Sequence, residues 1–158
     1  MSVVRALKTL PSLRGWGAPP SGGWSEDALR ARVASGAGWA LGAFEGARPV
    51  GLALATGVTP EAELDLIWVR PDVRGQGTGG ALLEAIHRTL QDSGFEVVHL
   101  EVSTVNPARR LYARFGYRQV GLRPGYYGQG DDAVLMRLAL GTPCAGGDAG
   151  ATPRRHAG

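Results

Sequence analysis

The chain is poor in the residues that form disulfides, metal sites and polycationic surfaces. Among its 158 residues only Cys144 is a cysteine, so no intrachain disulfide can form. The histidines, His87, His99 and His156, are scattered and show no metal-ligand spacing, so we expect no bound metal. Lys8 is the only lysine among 17 basic residues, and the net charge is only +3. A small excess without a clustered basic face argues against a nucleic-acid-binding protein.

Long apolar runs are also missing. No stretch is long enough to span a bilayer, and the N-terminal segment MSVVRALKTLPSL lacks the extended apolar core of a signal peptide. We therefore expect a cytoplasmic protein without a membrane partner. The apolar fraction of 44% is nevertheless that of an ordinary globular protein, and the length corresponds to one domain.

Glycine is abundant, with 25 residues, and it is concentrated in the stretch VRPDVRGQGTGG, where four of the last six residues are glycine. The stretch lies between two apolar runs, LDLIWV and ALLEAI, which are typical of a strand and a helix. Glycines at such a junction let the backbone approach an anion that the helix N-terminus attracts. Arg74 would add a full positive charge beside them. A tight turn without a ligand is the alternative explanation.

The remaining pattern predicts a mixed α/β sheet. A helix is expected between an N-cap at Ser25 and a stop at Gly36, because acidic residues follow Ser25 directly. The other predicted elements are a hairpin over 39–58 with its turn at Glu45 to Arg48, a strand at AELDLIWV, a helix after the glycines that ends near Gly94, a strand at FEVVHLEV, a short helix at NPARRLYARFG, and strands at YRQVGLR and AVLMRLAL. Residues 1–140 would form the domain, and the aperiodic residues 141–158, rich in Gly, Ala and Arg, a flexible tail.

Two segments carry a family resemblance. VRPDVRGQGTGGALL resembles the acetyl-CoA-binding motif Q/R-x-x-G-x-G/A of the GNAT N-acetyltransferases, with Arg74, Gly77 and Gly79 at the motif positions. EVSTVNPARRLYARFGY resembles the family's N-x-x-A-x-x-L-Y-x-x-x-G-F/Y segment. The resemblance covers residues 2–140 and implies the GNAT fold, a mixed and mostly antiparallel sheet flanked by helices with splayed central strands. It also implies acetyl-CoA as co-substrate, without a metal.

The resemblance assigns the cofactor-binding residues. The backbone of the glycine loop would hold the pyrophosphate of coenzyme A; these residues are Arg74, Gly75, Gln76, Gly77, Thr78, Gly79 and Gly80. The backbone of Ile67, Trp68 and Val69 would pair with the pantetheine arm. Asn106 would contact the cofactor, although the sequence around it predicts a helix N-cap in either case.

Acetyl transfer to an amine requires a base for the amine and a proton for the departing thiolate. Tyr112 matches the family's general acid, while its helical setting beside Phe115 is equally compatible with a core tyrosine. Glu101 ends the strand VVHLEV, and a carboxylate among apolar neighbours suits a base at neutral pH. His99 and Asp65 are alternative bases.

Further features resemble the RimI-like branch of protein N-terminal acetyltransferases. WSEDALRARVASG is similar to the first helix of that branch, and RPGYYGQGDDAVLMRL to its paired-tyrosine segment. The latter implies that Tyr126 and Tyr127 contact the acceptor peptide. Asn106 and Tyr112 are one residue closer together than is common in RimI-like sequences.

The expected function is acetylation of the N-terminal α-amine of a protein, such as a ribosomal protein. The acceptor would attack acetyl-CoA directly, because Cys144 lies in the tail. The alternatives are a GNAT enzyme that acetylates a small-molecule amine and a non-catalytic acetyl-CoA sensor of the same fold.

Overall fold

The computed structural model describes residues 2–20 and 24–141. Its elements are β1 (Val3–Ala6), α1 (Glu26–Ser35), β2 (Trp39–Glu45), β3 (Arg48–Val58), β4 (Glu61–Val69), α2 (Thr78–Asp92), β5 (Val97–Ser103), α3 (Ala108–Arg114), β6 (Arg118–Gly128) and β7 (Asp131–Ala139). None of the helices in these residues has the length and hydrophobicity needed to cross a membrane. Of the expected tail, residues 142–158 lie outside the described part of the chain.

The strands form one sheet in the order β1-β2-β3-β4-β5-β7-β6. The ladders β1–β2, β2–β3, β5–β7 and β6–β7 are antiparallel, whereas β4 and β5 run parallel. The parallel ladder joins Glu61–Glu63 to Val97–His99, only the first third of β4. The predicted mixed, mostly antiparallel sheet with diverging central strands is thereby confirmed.

Helix α1 begins and ends where its sequence predicts. The Ser25 hydroxyl accepts the N–H of Ala28 at 3.0 Å, which satisfies one of the donors left free at a helix start. At the other end Gly36 takes φ 74°, a left-handed conformation that glycine adopts at no steric cost. The helix buries Leu29 and Val33.

The described chain divides into two compact units. The first comprises the residues up to Thr56 together with Asp65–Ile86. Its core joins α1, β3 and the end of β4, through Leu10, Trp16, Leu29, Val33, Leu52, Leu54, Leu66 and Trp68. The indole rings of Trp16 and Trp68 pack edge to face with centroids 5.2 Å apart.

Gly51 fixes a close approach within the first unit. A Cβ placed on Gly51 would lie 2.8 Å from Cδ1 of Leu82 and 3.1 Å from Cγ2 of Thr78, both in α2. Leu82 is fully buried, so it has little room to yield. The missing side chain of Gly51 therefore lets the first turns of α2 pack directly on β3.

The second unit comprises Gly57–Leu64 and the described residues from His87 onward. It contains a buried aromatic cluster in which His87 Nε2 and the Tyr117 hydroxyl are 2.7 Å apart. The ring of Tyr117 also packs against Tyr112, with centroids 5.6 Å apart. Burial lowers the pKa of His87 to about 4, so its imidazole is neutral in the folded protein near neutral pH.

The sequence does not predict β1 or the full length of β6. Strand β1 has only four residues, VVRA, too few for an alternating pattern to be recognised. Strand β6 runs on to Gly128, five residues beyond the predicted segment YRQVGLR, although it contains Pro124 and Gly125. It tolerates them because it lies at the edge of the sheet, and its register with β7 is interrupted between Arg123 and Gly128.

The buried His87 predicts a pH dependence of stability. Between its ordinary pKa of 6.5 and the folded value of about 4, the unfolded chain binds a proton that the folded chain does not. The free energy of unfolding should therefore fall as the pH is lowered through this window, by about 3 kcal/mol at the lower end. His87→Gln keeps a polar partner for Tyr117 but does not titrate, so this component should be missing. Urea melts of the wild type and of His87→Gln at several pH values between 4 and 6.5 measure the free energy of unfolding of each protein. If this free energy depends on pH in the same way in both proteins, His87 is not the group responsible.

Candidate active site

The glycine loop after β4 has a conformation that requires glycine. The chain passes through a short 3-10 turn at Pro71–Val73 and then reaches Gly75 and Gly77, whose φ angles are +80° and +87°. These lie in the left-handed region that other residues rarely adopt. A Cβ on either glycine would meet no atom within 4 Å. The loop therefore needs glycine for its backbone, and the space in front of it is open.

Helix α2 starts directly from this loop. The carbonyl of Gly77 accepts the N–H of Ala81 at 3.0 Å, which places Gly77 at the N-cap and Gly79 and Gly80 in the first turn. That turn contains no acidic residue, so the partial positive charge of the helix start is not compensated within it. Gln76 is exposed and Thr78 is buried. The open loop, the bare first turn and the uncompensated dipole fit a bound phosphate group.

Arginines on both sides of the 3-10 turn hold the loop. Asp72 forms ion pairs with Arg48 and with Arg70, whose Nε lies 2.8 Å from the carboxylate. Arg70 also donates to the carbonyl of Arg14 at 3.1 Å. The Nε of Arg74 donates to the Val69 carbonyl at 3.1 Å, so its guanidinium lies against the end of β4. The sequence predicted the charge of Arg74 beside the loop but not this contact.

The residues predicted to line the pantetheine arm end β4. Trp68 is 3% exposed and belongs to the core of the first unit, and Ile67 is also buried. Their side chains are thus occupied by packing. Val69 is half-buried and its carbonyl is engaged by Arg74. Backbone groups are what these residues can offer a ligand, as the resemblance implies.

Glu101 lies on the more open face of β5, in the second unit. Burial alternates along the strand, and the sequence correctly places His99 and Glu101 on one face. The sequence led us to expect only apolar groups around the side chain of Glu101. The structure differs, because a charged group lies beside it. Its Oε2 lies 3.1 Å from Nη2 of Arg123, a residue of β6. Strand β7 separates β5 from β6 in the sheet, so this contact is not visible in the sequence.

The two alternative bases have partners of their own. His99 Nε2 lies 2.8 Å from Oε1 of Glu61, at the paired end of β4 and β5. Asp65 lies 3.0 Å from Nη1 of Arg32 and accepts a hydrogen bond from Thr56. Burial raises the pKa of Asp65, against the opposing effect of Arg32. Asp65 is thus fixed by two neighbours.

Tyr112 is buried in α3 at 7% exposure. Burial raises its pKa well above the ordinary value of a tyrosine, so the hydroxyl remains protonated near neutral pH, as a general acid requires. The side-chain oxygen of Asn106 accepts the N–H of Ala108 at 2.8 Å. The predicted N-cap is nevertheless wrong by one residue, because the helix begins at Ala108 with Pro107 as its N-cap, and Asn106 precedes that position. Its amide nitrogen is the group that can face a ligand.

Tyr126 and Tyr127 lie where the β6–β7 register is interrupted. Tyr126 is 54% exposed, and its ring is nearly perpendicular to that of Tyr127 with centroids 5.0 Å apart. Burial and then the nearby Glu101 carboxylate raise the pKa of Tyr127. The structure thus brings the candidate base together with the paired tyrosines, and it adds Arg123, which sequence reasoning missed.

The glycine loop predicts a selective loss of cofactor affinity. Gly77→Asp introduces a negative charge where the loop would hold a pyrophosphate, so the Kd for acetyl-CoA should rise at least about tenfold. Gly46→Asp is a matched control, because Gly46 also has a positive φ, of 62°, and open space around it, but lies in the β2–β3 turn. Calorimetry and a thermal melt on both variants separate the effects. Equal affinities in the two variants would exclude the loop as the phosphate site.

The comparisons with known proteins agree with this geometry. Residues 9–117 match the acetyltransferase (GNAT) family. The chain is 35% identical over 95 residues to the ribosomal protein bS18-alanine N-acetyltransferase of Haemophilus influenzae, covering 58% of this chain and 65% of that protein, somewhat less than two thirds of its length. It is 38% identical over 126 residues to the N-alpha-acetyltransferase RimI of Mycobacterium tuberculosis, covering 76% of this chain and 78% of that protein.

Among solved structures, the ribosomal-protein-S18-alanine N-acetyltransferase of Escherichia coli is similar with a TM-score of 0.74 and 26% identity. That match covers 94% of this chain and 98% of the Escherichia coli chain. The family match and the mycobacterial relative each extend over more than two thirds of the sequence. The chain therefore belongs to the GNAT acetyltransferase family.

Proposed function

We propose that this enzyme acetylates the N-terminal α-amine of a protein, and that the acceptor is a ribosomal protein. The observation that carries the proposal is the cluster of Glu101, Tyr126 and Tyr127, which combines a candidate base with exposed aromatic surface. An extended peptide N-terminus offers an ammonium group for the carboxylate and a backbone that packs on tyrosine rings. The similarity to RimI-type enzymes supports the same acceptor class.

The glycine loop holds the cofactor in this proposal. Backbone N–H groups of the glycine loop and of the first turn of α2 bind the pyrophosphate, and Arg74 adds a full positive charge. Acetyl-CoA supplies an acetyl thioester when bound. No side chain of the loop reacts, so the loop contributes affinity and orientation only.

Glu101 and Tyr112 supply the proton transfers. The Glu101 carboxylate accepts a proton from the acceptor's ammonium group, which makes the amine nucleophilic. The amine nitrogen attacks the thioester carbonyl, and the carbon–sulfur bond breaks. The Tyr112 hydroxyl provides a proton for the departing sulfur and is reprotonated by the second proton that the nitrogen loses as the amide forms. Burial keeps the hydroxyl protonated near neutral pH before the reaction. Tyr126 and Tyr127 orient the acceptor beside Glu101. The route is direct attack by the amine, since Cys144 is the only cysteine and stands in the predicted tail.

Tyr112→Phe tests the acid. The variant keeps the ring and its packing, so the free energy of unfolding should change by no more than about 1 kcal/mol, whereas kcat should fall by roughly 100-fold. The KM for acetyl-CoA should change less, because the lost interaction matters most in the transition state.

Tyr117→Phe is the matched control for Tyr112→Phe. It removes a buried hydroxyl that contacts His87 at 2.7 Å, so it should cost about 1 kcal/mol of stability and leave kcat near the wild-type value. Steady-state kinetics and melts of both variants give the answer. Near wild-type kcat in a well-folded Tyr112→Phe protein would return Tyr112 to a core role.

The acceptor class is tested with peptides. A peptide with a free α-amine and an internal lysine should be acetylated once, at the α-amine, as mass spectrometry with fragmentation shows. The same peptide with its N-terminus already blocked should not react. Turnover of the blocked peptide, or of small amines alone, would indicate a lysine or small-molecule acetyltransferase, and binding of acetyl-CoA without turnover of any amine would indicate a sensor.

A further inference from the structure

Arg123 contacts both the candidate base and the paired tyrosines. Its Nη2 lies 3.1 Å from Oε2 of Glu101, and its Cζ lies 5.5 Å from the ring centroid of Tyr126. Arg123 and Glu101 are 22 positions apart in the sequence, whereas Arg123 and Tyr126 are only three positions apart. Arg123 therefore links two groups that have separate roles in the proposed function.

The sheet brings Arg123 to Glu101 across β7. Glu101 pairs with Leu135, and Leu135 pairs on its other side with Gly121, so the three residues share one face. Arg123 is two residues beyond Gly121 and lies on that same face. A Cβ on Gly121 would be 2.8 Å from Cδ1 of Leu135, so Leu135 occupies the space of a side chain there. The long arginine side chain passes over β7 to the carboxylate.

Stability does not account for this contact. The side chain of Arg123 is 53% exposed and that of Glu101 is 26% exposed. Ion pairs with such an exposed partner contribute little to folding, because solvent screens them and ordering two long side chains costs entropy. The pair instead restricts the orientation of the carboxylate, while the cation–π contact restricts the ring of Tyr126.

We infer that Arg123 is a positioning residue for acetyl transfer, which holds the Glu101 carboxylate toward the acceptor amine and ties that orientation to Tyr126. The inference rests on the proposed function, in which Glu101 is the base. The proton moves from the acceptor's ammonium group to the carboxylate. The guanidinium stays charged throughout and gives up no proton, because arginine is not deprotonated in proteins.

Arg123→Gln, Arg123→Lys and Arg118→Gln test the inference in the full chain. Arg123→Gln removes the charge, and a misoriented base should lower kcat about tenfold while the KM for acetyl-CoA stays within about twofold. Arg123→Lys restores a cation that can reach one carboxylate oxygen and should recover part of the loss. Arg118→Gln removes the same charge from the exposed start of β6, opposite Arg137, and should have wild-type kinetics.

Each protein is assayed with a free-amine peptide and with glycinamide, and is also melted. Turnover of glycinamide but not of the peptide by the wild type would reject the proposed acceptor, while the effect of Arg123→Gln on glycinamide would still decide the role of Arg123. Wild-type kcat in Arg123→Gln, or an equal loss in Arg118→Gln, would overturn the inference. The inference would also be overturned if Arg123→Gln and Arg123→Lys both lost activity and both had a lowered melting temperature, because that pattern indicates a structural role for Arg123. No turnover of either acceptor by the wild type would remove Glu101 as a base and the inference with it.

Discussion

In the proposed function the junction between β4 and α2 exposes backbone N–H groups to an anion, and the surrounding sequence suits that requirement. Left-handed angles at Gly75 and Gly77 turn the chain so that the helix starts with its N–H groups uncovered. The first turn of α2 then contains two glycines, which have no side chain, and it contains no acidic residue that would neutralise the helix dipole. Arginines at positions 48 and 70 hold the preceding turn through Asp72.

Local signals explain why much of the fold is predictable. Ser25 and Gly36 act through hydrogen bonds and backbone angles within a few residues, so the ends of α1 follow from the sequence alone. The same holds for the glycine loop, whose chemistry depends on its own backbone. The family motifs then nominate Tyr112 in α3 and Asn106 shortly before that helix, because their spacing along the chain is also local.

The environment of Glu101 shows where such reasoning stops. Alternation along β5 correctly predicts its face, but the guanidinium beside it comes from a strand that is not its neighbour. The order β5-β7-β6 and the interrupted register of β6 decide that contact, and neither has a periodic signature. For the same reason the extension of β6 to Gly128, which places Tyr126 and Tyr127, is not predicted.

The close packing at Gly51 has a consequence for how this protein tolerates substitution. Gly51 lies in β3 and is not one of the described glycines with a positive φ, so nothing about its conformation demands glycine. Yet any side chain there would press on Leu82 and Thr78 at the start of α2. Laboratory evolution under selection for acetyl transfer should therefore find position 51 nearly as intolerant as the glycine loop itself. Substitutions there would act on the cofactor at a distance, by displacing the helix start that would bind it.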